Sequence, residues 1–467
     1  MNMKLEQIYT SCLAQGAYYI ESEGEVAIID PLRETEPYLE RANNSGAKIK
    51  YVFETHFHAD FVSGHMELAD KTGAEIIYGP GAKTDFTITE GKDGDEFKVG
   101  KLTIKLIHTP GHTLESSCYL LSDETGTPKA LFSGDTLFIG DVGRPDLAIK
   151  SDLTKEDLAG MLYDSLRNKV MTLPDDIIVY PAHGAGSACG KNMSNETSDT
   201  LGNQKQTNYA LAEDLSKEDF IKEVTCGIMP PPQYFAKNAQ LNKSGVRNLD
   251  DVLEVGTRGL AVDQFLEIKE TEKAMILDVR SADDYAAGAI PGSIFIGIDG
   301  SFAPWVGALV TDLETPILLV TPDGREEETV TRLARVGYDN TLGFLKGGIE
   351  VWKEAGNDIQ TINRVTAEEF EENYSNYKQP VDVRKPGEYE NEHVSGSPLK
   401  PLDFIVDWQD EFAKDTELTL FCRGGYRSMI AASILKARGY QNLTDVIGGF
   451  NKIKQTGLKI VSLSKVN

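Results

Sequence analysis

With 467 residues and a formal net charge of −26, the chain is too long for one hydrophobic core, since single cores stop growing at about 250–300 residues. Its pI near 4.7 argues against nucleic acid or an anionic membrane as partner, since phosphate binding needs clustered positive charge, so neither is expected. No apolar run approaches the ~18 residues of a membrane span. The five cysteines (Cys12, Cys118, Cys189, Cys226, Cys422) are odd in number and scattered, which suits a reducing compartment. The N-terminal segment Met1-Asn2-Met3-Lys4-Leu5 lacks the basic and apolar regions of a signal peptide, and a cytoplasmic protein is expected.

Residues 24–31 read as a strand ending in Asp30-Pro31, followed by a helix at 35–43. The apolar run 49–53 then leads into Thr55-His56-Phe57-His58-Ala59-Asp60. Imidazoles two apart on an extended chain point the same way, so this stretch reads as a strand delivering metal ligands to a loop. After a helix at 66–72 and a strand at 75–78, the alternating run 101–107 ends in His108-Thr109-Pro110-Gly111-His112. An apolar strand at 130–134 ends in Asp135, and another from 176 ends in His183. Four strands ending in His or Asp would gather ligands along one sheet edge, where rigid strands fix the geometry. His65, on a helix, and His108, at a strand end, are expected to be structural. Residues 205–260 read as a helical extension broken by Pro230-Pro231-Pro232.

Beyond this lies an internal repeat of about a hundred residues. Leu277-Asp278-Val279-Arg280 parallels Val381-Asp382-Val383-Arg384, and Lys346-Gly347-Gly348-Ile349 parallels Ile447-Gly448-Gly449-Phe450. Alternating short strands and helices mark both copies as α/β with a mainly parallel sheet. In the second copy the strand Leu418-Thr419-Leu420-Phe421 runs into Cys422-Arg423-Gly424-Gly425-Tyr426-Arg427-Ser428 and then a helix at 429–436. Backbone N–H groups and the positive end of the helix favour an anionic, nucleophilic sulfur, and Arg427 adds positive charge. At the matching point the first copy has Thr321-Pro322-Asp323-Gly324-Arg325-Glu326-Glu327. Without a cysteine no sulfur nucleophile stands there, and this copy is expected to hold the outer domains in register.

Residues 1–200 resemble the metallo-β-lactamase superfamily through His56-x-His58-x-Asp60, His112, Asp135 and His183. Two-metal hydrolases of that superfamily need a histidine directly after the motif's aspartate, and here that residue is Phe61. His56, His112 and Asp135 remain as the two-imidazole, one-carboxylate set of non-haem Fe(II) oxygenases, whose open positions suit O2 and a sulfur ligand. Thr109-Pro110-Gly111-His112-Thr113, Ser133-Gly134-Asp135 and Gly143-Arg144-Pro145-Asp146 resemble persulfide dioxygenases. The resemblance implies one Fe(II) per chain held by His56, His112 and Asp135, with His58, Asp60 and His183 lining the vacant second position. Arg144 and Asp146 either orient Asp135 or the substrate, or form a salt bridge that shapes their own loop. Cys189, in the loop His183-Gly184-Ala185-Gly186-Ser187-Ala188-Cys189, resembles a cysteine of fused persulfide dioxygenases and is a candidate for carrying sulfur.

The Cys422 loop resembles the rhodanese active site, with Cys422 and Arg427 in catalytic roles and Arg423, Gly424, Gly425, Tyr426 and Ser428 cradling sulfur. Nearly the whole chain is thus similar to persulfide dioxygenase–rhodanese fusions. The implied fold is α/β: an αββα sandwich with a helical extension at 1–255, an inactive rhodanese-like domain at 256–362 and an active one at 363–467. The implied reaction oxidises the terminal sulfur of a low-molecular-weight persulfide to sulfite with O2 and couples this to thiosulfate formation. Glutathione, coenzyme A, bacillithiol and inorganic persulfide all stay open as the sulfur carrier, and a homodimer or homotetramer is expected. Two alternatives remain at this stage: a zinc-dependent thioester hydrolase of the glyoxalase II type with an accessory rhodanese, and a sulfur-carrier protein.

Overall fold

Two six-stranded sheets build the first half of the chain. The computed structural model describes residues 3–148, 153–376 and 379–463, and the chain divides into one unit of 1–249 with 334–337 and another of 250–333 with 338–467. In the first sheet Glu25–Ile29 pairs parallel with Lys48–Phe53, which pairs parallel with Glu75–Tyr78. Val26, Ala27, Ile28 and Ile29 are fully buried, as expected of a strand covered on both faces. In the second sheet Leu102–His108, Ser117–Ser122 and Pro128–Gly134 form an antiparallel meander, and Ile178–Pro181 adds in parallel.

The αββα layering follows from where the apolar side chains go. Tyr18, Ile29, Phe53 and Ile77 of the first sheet pack against Ile104, Tyr119 and Phe132 of the second. Each such side chain removed from water contributes roughly 1.5–3 kcal/mol. The other face of the first sheet is covered by helices Glu36–Ser45 and His65–Thr72 through Tyr38, Ala42 and Leu68. Helices Lys155–Ser165 and Lys217–Thr225 cover the second sheet through Leu162, Phe220 and Val224. Glu36–Ser45 starts with proline in its first turn and stops at Gly46, whose φ of 66° an L side chain resists. The proline run falls between Lys217–Thr225 and helix Phe235–Ser244.

Both repeat copies of the second unit have parallel sheets. The first runs in the order Gly259–Leu260, Thr341–Leu345, Ile317–Val320, Met275–Asp278, Ile294–Phe295. The second runs Asn363–Val365, Leu443–Val446, Leu418–Phe421, Gln379–Asp382. In each copy the aspartate ending a strand takes a forked hydrogen bond from the arginine two residues on: Asp278 from Arg280 and Asp382 from Arg384. Among the described residues no helix is long and apolar enough to cross a membrane.

Candidate functional site

Strand ends of both sheets of the sandwich meet around one buried cluster. His56 follows Lys48–Phe53, His112 follows Leu102–His108, and Asp135 follows Pro128–Gly134. One ligand-type atom from each of the three lies within 4.8 Å of the others. Asp135 Oδ2 is 3.4 Å from His112 Nε2 and 3.8 Å from His56 Nε2. Gly143 permits this packing, because a Cβ there would lie 2.0 Å from the Asp135 carbonyl oxygen and 2.9 Å from His112 Nδ1.

The outer nitrogens of both rings are engaged, while the inner atoms of His112 and Asp135 are not. His112 Nδ1 is 2.9 Å from the Arg144 carbonyl oxygen, which fixes it as the donor, and His56 Nδ1 is 3.0 Å from Thr55 Oγ1. His112 Nε2 and Asp135 Oδ2 are buried without a hydrogen-bond partner. Burial holds His56 well below the ordinary imidazole value and His112 below it, outweighing the Asp135 carboxylate that acts the other way. Burial alone would raise Asp135, but His183, His56 and His112 overcome it and hold the carboxyl low. Two neutral imidazoles and one carboxylate aimed at a common point, with orphaned buried atoms, fit a divalent ion with open positions.

A second group lies beside the first. His183 Nδ1 is 2.8 Å from Asp135 Oδ1, and its Nε2 is 2.8 Å from Asp60 Oδ2. Burial opposes the charge on His183, but these two carboxylates outweigh it and place its pKa well above the ordinary value. Cys189 joins Asp60 and His183 in one buried set. Burial, then the charges of Asp60 and Asp135, push its thiol well above the usual range. Arg144 forks onto Asp146 at 2.6 and 2.7 Å, while its backbone N–H donates to the Cys189 carbonyl. The ion pair shapes the loop, as one of the two expectations had it, and the Arg144 backbone carbonyl holds His112 rather than Asp135.

His58 does not join Asp60 and His183. Its Nε2 faces away, 3.0 Å from Asp30 Oδ1 and 3.4 Å from Glu54 Oε2. Burial opposes its charge, but Asp30 and Glu54 raise its pKa to about 10. Phe61, fully buried, packs its ring 4.3 Å from that of His58. His65 Nδ1 is 3.3 Å from Glu54 Oε1, and His108 Nε2 turns to the Leu114 carbonyl, so neither joins the His56 cluster.

Asp30, Glu54 and Asn242 shape this site without having been singled out from the sequence. Asp30 accepts from Thr55 N–H and Oγ1 at 2.7 and 2.8 Å, in an uncommon backbone conformation with φ of 49°. Asn242, on helix Phe235–Ser244, donates to the carbonyls of His58 and Phe61 and accepts from Ser63 N–H. A strand-end aspartate before proline was a signal for Asp30. Asn242 gives none, being a polar residue on a helix 184 positions from His58.

In the second unit Cys422 is buried at the end of Leu418–Phe421. Its Sγ accepts from Gly425 N–H at 3.1 Å and lies 3.6 Å from Ser428 Oγ. The helix begins at Tyr426, three residues earlier than expected, because Gly425 at φ 97° serves as its N-cap and the cradle is the helix's first turn. Gly449 closes the loop from behind: a Cβ there would lie 2.2 Å from the Cys422 carbonyl. Ser428 Oγ donates to Asp445 Oδ1 at 2.5 Å, and Arg364 Nε donates to Asp445 Oδ2 at 2.9 Å. Tyr426 donates to the Gly297 carbonyl of the first copy at 2.7 Å. Arg423 and Gly424 are exposed. At the matching loop of the first copy, Glu326 Oε1 is 3.3 Å from Thr321 Oγ1 and accepts from Gly324 N–H at 3.2 Å, so a carboxylate fills that cradle.

Comparison with known proteins adds to this geometry. Residues 12–183 match the family model described as Metallo-beta-lactamase superfamily, and residues 261–355 and 366–456 each match the Rhodanese-like domain. Over 213 residues, 45% of this chain and 74% of the relative, the sequence is 30% identical to persulfide dioxygenase ETHE1, mitochondrial, of Homo sapiens. A crystal structure of a metallo-beta-lactamase from Staphylococcus aureus subsp. aureus COL is similar at 32% identity and a TM-score of 0.65, over 74% of this chain and 99% of that one.

Proposed function

Because the chain belongs to the metallo-beta-lactamase superfamily and carries a persulfide-dioxygenase-like domain ahead of tandem rhodanese-like domains, we propose that it oxidises persulfides and transfers sulfur at two separate sites. The observation that carries this reading is the buried trio His56, His112 and Asp135, in which His112 Nε2 and Asp135 Oδ2 lack partners, in a chain that also holds the Cys422 cradle. Those three residues would hold Fe(II), which when bound supplies the redox activation of O2. The balanced reaction is R–S–S⁻ + O2 + H2O → R–SH + SO3²⁻ + H⁺: the terminal sulfur loses four electrons and O2 gains them.

The chain's own residues have distinct tasks. His56 and His112 present neutral Nε2 atoms because burial disfavours their protonation. His183 fixes one oxygen of Asp135 and leaves the other free to face inward. Phe61 and Phe138, both fully buried, line the neighbourhood of His183 and exclude water there. Cys189, buried beside Asp60 and His183, would carry or receive sulfane sulfur only as its thiolate, the form that burial and the Asp60 and Asp135 carboxylates disfavour.

At the second site, Cys422 accepts sulfane sulfur as a cysteine persulfide and delivers it to sulfite, giving thiosulfate. The first copy, lacking a nucleophile, is a support for the second. Holding both activities on one chain raises the effective concentration of sulfite at the transfer loop.

Oxygen-electrode assays of the iron-loaded chain across several persulfides, with sulfite and thiosulfate quantified, test the reading. O2 uptake matched by sulfite supports it. Hydrolysis of thioesters with zinc and no O2 uptake would replace it, as would a single stoichiometric sulfur transfer without turnover.

A further inference from the structure

The guanidinium of the sulfur-transfer loop is already occupied. Arg427 Nη1 and Nη2 donate to Glu388 Oε2 and Oε1 at 2.6 and 2.9 Å, a forked pair with side chains 14% and 29% exposed. Burial works against the Arg427 charge, and the Glu388 hydrogen bonds followed by the nearby Cys422 sulfur outweigh it. Asp403 adds a further negative charge acting on the same group. The other carboxylate of the cradle, Asp445, is balanced separately by Arg364. Of the positive charge that the loop sequence advertises, Arg427 is therefore cancelled, and the remaining Arg423 stands in solvent.

We propose that Glu388 sets the charge preference of this loop, so that it takes sulfur from a singly charged persulfide in preference to a doubly charged donor such as thiosulfate. The proposal rests on the reading of Cys422 as the sulfur acceptor given above. In the transfer, the Cys422 thiolate attacks the terminal sulfur of R–S–S⁻. A new S–S bond forms on Sγ, the donor's S–S bond breaks, and its electron pair leaves on R–S⁻. With thiosulfate the same displacement releases SO3²⁻, and neither case needs an external oxidant or reductant. Thiosulfate brings two negative charges towards a guanidinium whose fork is filled. Leaving Glu388 in place adds the two charges of thiosulfate to those of Glu388, Asp403 and the Cys422 sulfur around one guanidinium, and displacing it leaves a half-buried carboxylate with the Lys385 N–H in place of its ion pair. An alkyl persulfide brings only one charge, and its uncharged body needs no guanidinium.

The test is anaerobic sulfur transfer to cyanide by the full chain, comparing thiosulfate with the persulfide of 2-mercaptoethanol, a monoanion. Glu388→Gln should lower KM for thiosulfate about fivefold, as removal of one nearby charge predicts. The persulfide KM and both kcat values should stay within about twofold. Glu388→Asp, which keeps the charge, should preserve the wild-type ratio of the two KM values. An unchanged ratio in Glu388→Gln, or an equal shift in Glu388→Asp, overturns the proposal. Should Glu388→Gln fail to fold, sulfate gives an independent reading on the wild type: weak inhibition of transfer from the persulfide supports the proposal and tight inhibition overturns it. Failure of the underlying reading looks different, since wild-type Cys422 would then gain no sulfur by mass from either donor.

Discussion

Asp135 divides its two oxygens between different partners: Oδ1 lies 2.8 Å from His183 Nδ1, while Oδ2 faces the Nε2 atoms of His112 and His56 at 3.4 and 3.8 Å. The inner oxygen is thus held in place by a ring that belongs to the neighbouring group. Asp135→Ala should empty the metal site, as measured by metal analysis of the purified chain. His183→Ala should keep the site but weaken it about 10–100-fold, the usual loss when an orienting partner of a ligand is removed. Equal occupancy of the wild type and Asp135→Ala would contradict the ligand assignment.

Protons compete with a metal for imidazole nitrogens, so metal retention depends on pH. The folded pKa values of His56 and His112 are lowered by burial, so both rings stay neutral until the pH falls below the ordinary value of about 6.5. Metal occupancy should therefore be flat above that pH and decline only below it. A chelator-monitored titration of the loaded chain checks this, and a release midpoint at or above neutrality would contradict it.

Cys422→Ser should reduce sulfur transfer to the uncatalysed level while leaving persulfide-dependent O2 uptake unchanged, because the two groups of residues lie in separate units. Loss of both activities in one variant would sink the division of labour.

Restoring the nucleophile of the first repeat copy should not restore its chemistry. In Thr321→Cys the new sulfur would meet the Glu326 carboxylate, which already takes the Gly324 N–H that a thiolate would need. Mass analysis after incubation with persulfide should find sulfur on Cys422 and none on residue 321.

The parts of both sites that were readable from sequence are those where a short-range pattern carries the chemistry. His56, His112, Asp135 and His183 each follow an apolar run, and Cys422 follows one in a six-residue loop, so strand periodicity places them. Their supports were not readable, because they are tertiary pairs between distant residues. Asn242 reaches His58 from a helix with no motif of its own, Glu388 meets Arg427 across 39 positions, and Arg364 meets Asp445 across 81. The grouping of His58 with Asp60 and His183 illustrates the same limit. Spacing places all three near one loop, but only the partners Asp30 and Glu54 decide that His58 turns the other way.

Arg364 also governs how the chain can be cut. It sits on Asn363–Val365, which pairs parallel with Leu443–Val446 at the edge of the second repeat's sheet, and it ion-pairs with Asp283 of the first repeat as well as with Asp445. A fragment starting only a few residues later would lose an edge strand and leave the buried Asp445 carboxylate uncompensated, hydrogen-bonded to the serine beside Cys422. The connector between the repeats is thus a structural member of the transfer domain, and any excised rhodanese module must retain it.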